Sequence, residues 1–472
     1  MCYKKRGSTE LAQHCEEQNP LHSFAVATEV SPTTVLLVDV RWRSGRRVRP
    51  RRPKEHKMSN ETTQATQFRS EIKLLLQAAL LIFTFTVGVG ILNGIDVVDF
   101  ERKQLMAHVH AGTLGWITLS FIAACLWMFS EGRSVTGWRA VAPRWLGIAA
   151  AVSIIFYVFA FYTGDLNLRL AGGSLTFAAI LGFYLWIVVQ MRGAPLSTPR
   201  LGIFAAATTL TIAALLGVIL GIWLNGSLKF LPDGILTTHP TTMVVGYLVL
   251  AGMALSEWRL HPASAQTPAG KAGWAQVALP FTGGLVLTAG ALTNNQILIG
   301  MYVPLQITGV IIYLVRLAPR MLDTPWLAGG PERHYAVSAV FLVANVGLIT
   351  YLIINYVSGA YGDPPDFKLI PSWLVFAMDH AMFIGVMTNG LFGLVSEAAS
   401  KRRSLWPWAD HVLFWGMNVG AVGFVVGLAL KSTVIKEVFS PIMGTAILIA
   451  IVTYTLRLQT TPKTPTPKAA EH

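Results

Sequence analysis

From position 74 to position 456 the chain is one apolar run after another, each about 20 residues long and set off by short polar breaks. A run of that length crosses ~30 Å of hydrocarbon as an α-helix, with every backbone group satisfied inside its own segment. The strand-period alternation of a membrane barrel is absent, which leaves helices. Twelve spans are expected, at 74–98, 107–129, 145–162, 173–191, 201–224, 236–255, 274–293, 296–315, 335–357, 373–395, 412–430 and 438–456. The expected fold is therefore all-α integral membrane, and the lipid bilayer is the first partner.

Composition agrees: 53% of residues are hydrophobic and only 13% are charged, about half the charged share of a soluble domain. The net charge of +13 does not point to nucleic acid, because Lys and Arg collect in loops and tails. With the chain start inside, the loops on the inner side carry more Lys and Arg than those on the outer side, so both termini are expected in the cytoplasm of a cell with an inner membrane. Cys2, Cys15 and Cys125 form no CxxC and no CxxCH, so neither a disulfide framework nor covalent haem attachment is indicated.

Residues 1–57 are polar and basic, without the order of a signal peptide. Met58 opens a conventional start leading straight into a span, so 1–57 reads as a mis-assigned start or a disordered extension. The membrane domain then covers 58–458, and 459–472 is a cytoplasmic tail. Within it the second, sixth and tenth spans each begin with histidine and end in Ser-Glu, at Glu131, Glu257 and Glu397. His108-x6-Gly115-Trp116 also matches His239-x6-Gly246-Tyr247. The economical reading is three four-helix units. The glutamates read as markers of the inner membrane boundary, and His334 and His411 as structural residues at inner span ends.

Ionisable residues inside spans are costly and usually face the protein interior. The set of interest is His108, His110, His239 and His380, all entering from the outer face. Two positions along a helix turn the side chain by ~200°, so the two rings of His108-Val109-His110 point to opposite sides. A single zinc or copper ion would want ligands four apart on one face. Rings aimed apart suit a helix wedged between two planar cofactors, each taking one axial imidazole. The plainer reading is that these histidines are interfacial polar residues, with His239 a helix start before Pro240 and His380 paired structurally with Asp379.

The segment MAHVHAGTLGWITLSFIAACLW resembles the helix of haem-copper oxidase subunit I that ligates both haems, most closely in the cbb-type oxidases. The resemblance implies twelve spans, cytoplasmic termini, pseudo-threefold units, haem b (one or two), electron transport or nitric oxide- or oxygen-related redox chemistry, and a small redox partner or second membrane subunit. NnrS-type haem membrane proteins are a related likeness. In the oxidases the double-histidine helix is the tenth and here it is the second, so the order looks circularly permuted. On that reading His110 and His239 ligate a low-spin haem, His108 a high-spin haem, and His380 stands at the place of a copper ligand or on the distal side of the second haem. The paired histidines that would complete a copper site are missing around 425–431, so copper is an open expectation and an oxidase activity would lack its usual binuclear centre. The alternative is a permease for haem or copper that uses the same histidines as a transport site.

Overall fold

The computed structural model describes residues 67–460 except Lys229 and Lys401; the expectations for 1–57, for a start at Met58 and for most of the 459–472 tail lie outside the described residues. Twelve helices are long and apolar enough to cross a membrane: α1 (Arg69–Gly94), α2 (Arg102–Ser130), α3 (Trp138–Thr163), α4 (Leu166–Met191), α5 (Thr198–Leu224), α6 (Ile235–Leu260), α7 (Lys271–Thr293), α8 (Gln296–Leu322), α9 (Glu332–Val357), α10 (Ser372–Ser400), α11 (Trp408–Ala429) and α12 (Thr433–Gln459). All twelve sequence-expected spans are present. Most helices run past their apolar cores, and at a few of them flanking polar residues cap the start. Glu101 and Gln104 form a reciprocal capping box ahead of α2. Asp165 accepts from the amides of Asn167 and Leu168 at the start of α4, and Asn295 from those of Ile297 and Leu298 at the start of α8.

Three helices form the centre. The most apolar window is 89% buried in α2 and α6 and 72% buried in α10, against 28–50% in the other nine. The outer helices turn large apolar side chains outwards, among them Leu81, Trp145, Ile311 and Val315. That arrangement suits a lipid surround and makes this a multi-pass membrane protein. An even number of crossings puts the start of α1 and the end of α12 on one side. The glutamate ends of α2, α6 and α10 lie on that side, and their histidine ends on the other.

Each central helix widens into a π-helical stretch just after its histidines: Ala111–Thr118 in α2, Thr242–Leu248 in α6 and Ala381–Thr388 in α10. A π turn is rare and leaves its hydrogen bonds one residue longer than an α turn. Three in matching places give the internal repeat a structural register. The shift in sequence that takes Ala111 to Thr242 also takes Gly115 to Gly246 and His108 to His239. The shift that takes Thr242 to Ala381 takes Gly246 to Gly385, His239 to Met378 and Thr241 to His380. His239 thus takes the place of His108, and His380 the place of Thr241, so the four histidines are not one equivalent set. The Ser-Glu ends are not in register either, since Glu131 lies at the C-cap of α2 whereas Glu257 and Glu397 are still inside α6 and α10.

The register extends to the helix that precedes each central one. Gly115 packs on Ile82 of α1, Gly246 on Thr209 of α5 and Gly385 on Phe341 of α9. A side chain at any of these glycines would collide or press tightly, so each marks a close helix–helix approach. Farther into the fold the three central helices join. Trp116 Nε1 donates to Thr388 Oγ1 (3.0 Å), and Tyr247 reaches Thr118 (3.5 Å).

Candidate functional site

All four sequence-expected histidines stand at the same end of the central trio, next to the π-helical stretches. Each is half-buried, although Ala107, Ala111, Thr238, Thr242, Ala377 and Ala381 beside them are buried. The four histidines are therefore less enclosed than their immediate neighbours.

The Nδ1 atom of each ring is committed. His108 Nδ1 donates to the Thr86 carbonyl of α1 (2.8 Å), and His239 Nδ1 to the Ala213 carbonyl of α5 (2.8 Å). His110 and His380 instead donate back along their own helices, to the carbonyls of Met106 and Phe376 (2.8 Å each). A carbonyl can only accept, so Nδ1 carries the proton in all four and the neutral ring presents Nε2 as a lone-pair donor. This also corrects the expected His380–Asp379 pairing, because the available N–H of His380 goes to Phe376.

Two docking styles emerge. His108 and His239 lie against glycines of the preceding helix, one turn beyond the accepting carbonyl. A methyl at Gly90 would meet His108 Cε1 at 3.3 Å, and one at Gly217 would meet His239 Cε1 at 3.0 Å. His110 and His380 pack on aromatic rings of the following helix. Phe161 of α3 stacks on His110 at 3.9 Å between centroids, with Tyr157 edge-on at 5.4 Å, and Phe424 of α11 lies 4.6 Å from His380. HVH divides its rings between two neighbours: His108 rests on α1 and His110 on α3.

The glutamate end is a different kind of cluster. Arg259 spans Glu131 (3.6 Å) and Glu397 (3.1 Å) and stacks on Trp258 at 3.5 Å, which ties α2, α6 and α10 together. Glu257 is buried and receives Arg316 of α8 through both oxygens (2.7 and 3.2 Å) and Gln276 of α7 (2.6 Å). Tyr335 donates to Glu397 (3.3 Å). These carboxylates are more than boundary markers: they are the anions of a clasp. His334 is buried, with Nδ1 3.2 Å from Asn389 Oδ1, and His411 faces Arg333.

Sequence reasoning missed the π-helical stretches and the docking glycines Gly90 and Gly217. The only signal for them was glycine at matching places in α1 and α5, which is visible once the register is known. In a comparison with known proteins, no family model and no curated protein matches the chain.

Proposed function

We propose that this is a haem-binding protein of the inner (cytoplasmic) membrane with redox function, in which His110 of α2 and His239 of α6 are the axial ligands of one b-type haem. Both termini would be cytoplasmic and the histidine end would face outwards, in line with the loop charges. One observation carries the reading: four half-buried histidines at one end of the bundle each have Nδ1 fixed by a backbone carbonyl, which leaves Nε2 as the lone-pair donor. Haem- and metal-ligating imidazoles are held in this way, because the hydrogen bond sets the tautomer and the ring orientation before the metal arrives. Pairs of imidazoles from facing helices also suit a planar group that brings its own four equatorial nitrogens. When bound, the haem supplies one-electron chemistry. The chain supplies the two axial nitrogens, the aromatic wall of Phe161 and Tyr157, and a setting that keeps His110 and His239 in register.

The test is an absorption spectrum of the full-length protein purified from a haem-sufficient host. The expected result is a Soret band and b-type bands that appear on dithionite reduction and survive extended washing. A colourless protein that folds normally would overturn the reading. Haem that washes away under mild conditions would favour transport over redox function.

A further inference from the structure

The pseudo-threefold register allows three equivalent ligand pairs, and it shows which of them the sequence fills. One position, on the side of the preceding helix, is His108 in α2, His239 in α6 and Met378 in α10. The other, two residues on, is His110 in α2, Thr241 in α6 and His380 in α10. Each pair would join the second position of one central helix to the first position of another. His110 with His239 is one such pair. His380 with His108 is the same pair moved on around the bundle.

The surroundings repeat as well. His108 and His239 both donate to the carbonyl of the preceding helix, at Thr86 and Ala213, and lie over the glycine four residues on. His110 and His380 both donate to the carbonyl four residues back and pack on an aromatic ring of the following helix. The third pair would be Thr241 with Met378, and its site is built shut. In α9 the counterpart of Thr86 and Ala213 is Asn345, whose amide donates to the Met378 carbonyl (2.7 Å). The counterpart of Gly90 and Gly217 is Ile349, which is buried in a separate apolar cluster with Val245, Tyr302 and Tyr356, and Met378 packs against that cluster.

We propose that His108 and His380 form a second axial pair equivalent to His110 and His239, so that the chain holds two haems of the same bis-imidazole, six-coordinate kind, while the third equivalent position is closed by Ile349 and Met378. This rests on the haem reading above and departs from the arrangement the oxidase resemblance implies, in which the second haem is five-coordinate with His380 on its distal side. The His108–His380 pair repeats the hydrogen bonds and the walls of the His239–His110 pair, ring for ring, and so offers the same two lone pairs.

The experiment is haem quantitation, electron paramagnetic resonance and carbon monoxide binding on the full chain and on single variants. The expected wild type carries two haems per chain, both low-spin when oxidised, and forms no carbon monoxide adduct when reduced. His380→Ala should convert one haem to a high-spin form that binds carbon monoxide, with the other low-spin signal unchanged. His380→Met, which preserves a ligating atom and is the safer fold, should leave both haems low-spin but shift the signal of one. A wild type with two haems, one of them already high-spin and open to carbon monoxide, would overturn the proposal and leave the haem reading standing. So would a single haem whose signal survives both His108→Ala and His380→Ala. A folded wild type without haem would overturn the underlying reading instead.

Discussion

Gly217 is where a single methyl group should be felt most. A Cβ there would stand 3.0 Å from His239 Cε1 and 3.1 Å from Nδ1, so the ring must move by a few tenths of an ångström and loosen its bond to the Ala213 carbonyl. Loss of such a supporting contact typically costs about 10–100-fold in metal affinity. If His110 and His239 hold haem as proposed, Gly217→Ala is expected to weaken its retention there by roughly that factor. Gly90→Ala, with its nearest contact at 3.3 Å from His108, should act more mildly and on the other pair. Gly88→Ala, with nothing within 4 Å, is the control and should change nothing. Haem titration of the three purified variants checks the order, and equal losses in all three would remove the docking role. The histidines themselves were legible in the sequence, since an ionisable residue in an apolar run stands out. Their glycine partners were not, because a docking glycine has meaning only across two helices, and nothing in the sequence of α5 says that Gly217 will face His239.

At the scale of elements, the helices could be read from apolar length alone, but their ends could not. The start of α2 depends on the capping pair Glu101 and Gln104, five residues ahead of the apolar run. Ser-Glu at the end of each central helix was a true regularity with the wrong geometry behind it. Arg259 gathers Glu131 and Glu397 while Arg316 holds Glu257, and only the packed bundle brings those cations into reach. That clasp makes a stability prediction. Glu257 is buried and holds Arg316 and Gln276, so Glu257→Ala strands a guanidinium and an amide at a helix junction. Breaking a buried pair from one side costs about 3–5 kcal/mol; Arg316 is partly exposed, which places the expected loss at the lower end of that range. Arg259→Ala should cost less, because its partners Glu131 and Glu397 are each about a third exposed and water can screen them once the cation has gone. Thermal unfolding in detergent measures both, and a Glu257→Ala protein as stable as wild type would show that the cluster does not hold the bundle together. The spectrum of the folded fraction should be unchanged, since the clasp lies at the far end from the histidines.

For the whole molecule the topology is the quantity to test, because the direction of the site follows from it. A periplasmic reporter fused near Lys368 should be active, and the same reporter near Arg192 or Arg402 should be silent, if the histidine end faces outwards. The reverse pattern would turn the site towards the cytoplasm and overturn the outward-facing reading. Twelve crossings and three units were visible from the sequence. The register between the units was not, because it is written in π-helical widenings and helix-to-helix contacts that leave no local pattern in residue type.

His108 and His110 belong to one helix, and this has a thermodynamic consequence. If α2 carries one ligand for each haem, the two sites share a rigid body, and any slide or rotation that tightens one coordination bond also moves the other. Occupancy of either site is then linked to occupancy of the other, and the coupling is reciprocal by necessity: whatever the first haem contributes to the second, the second returns to the first. Filling of the two sites should accordingly be linked, so that the affinity measured at one depends on whether the other is occupied.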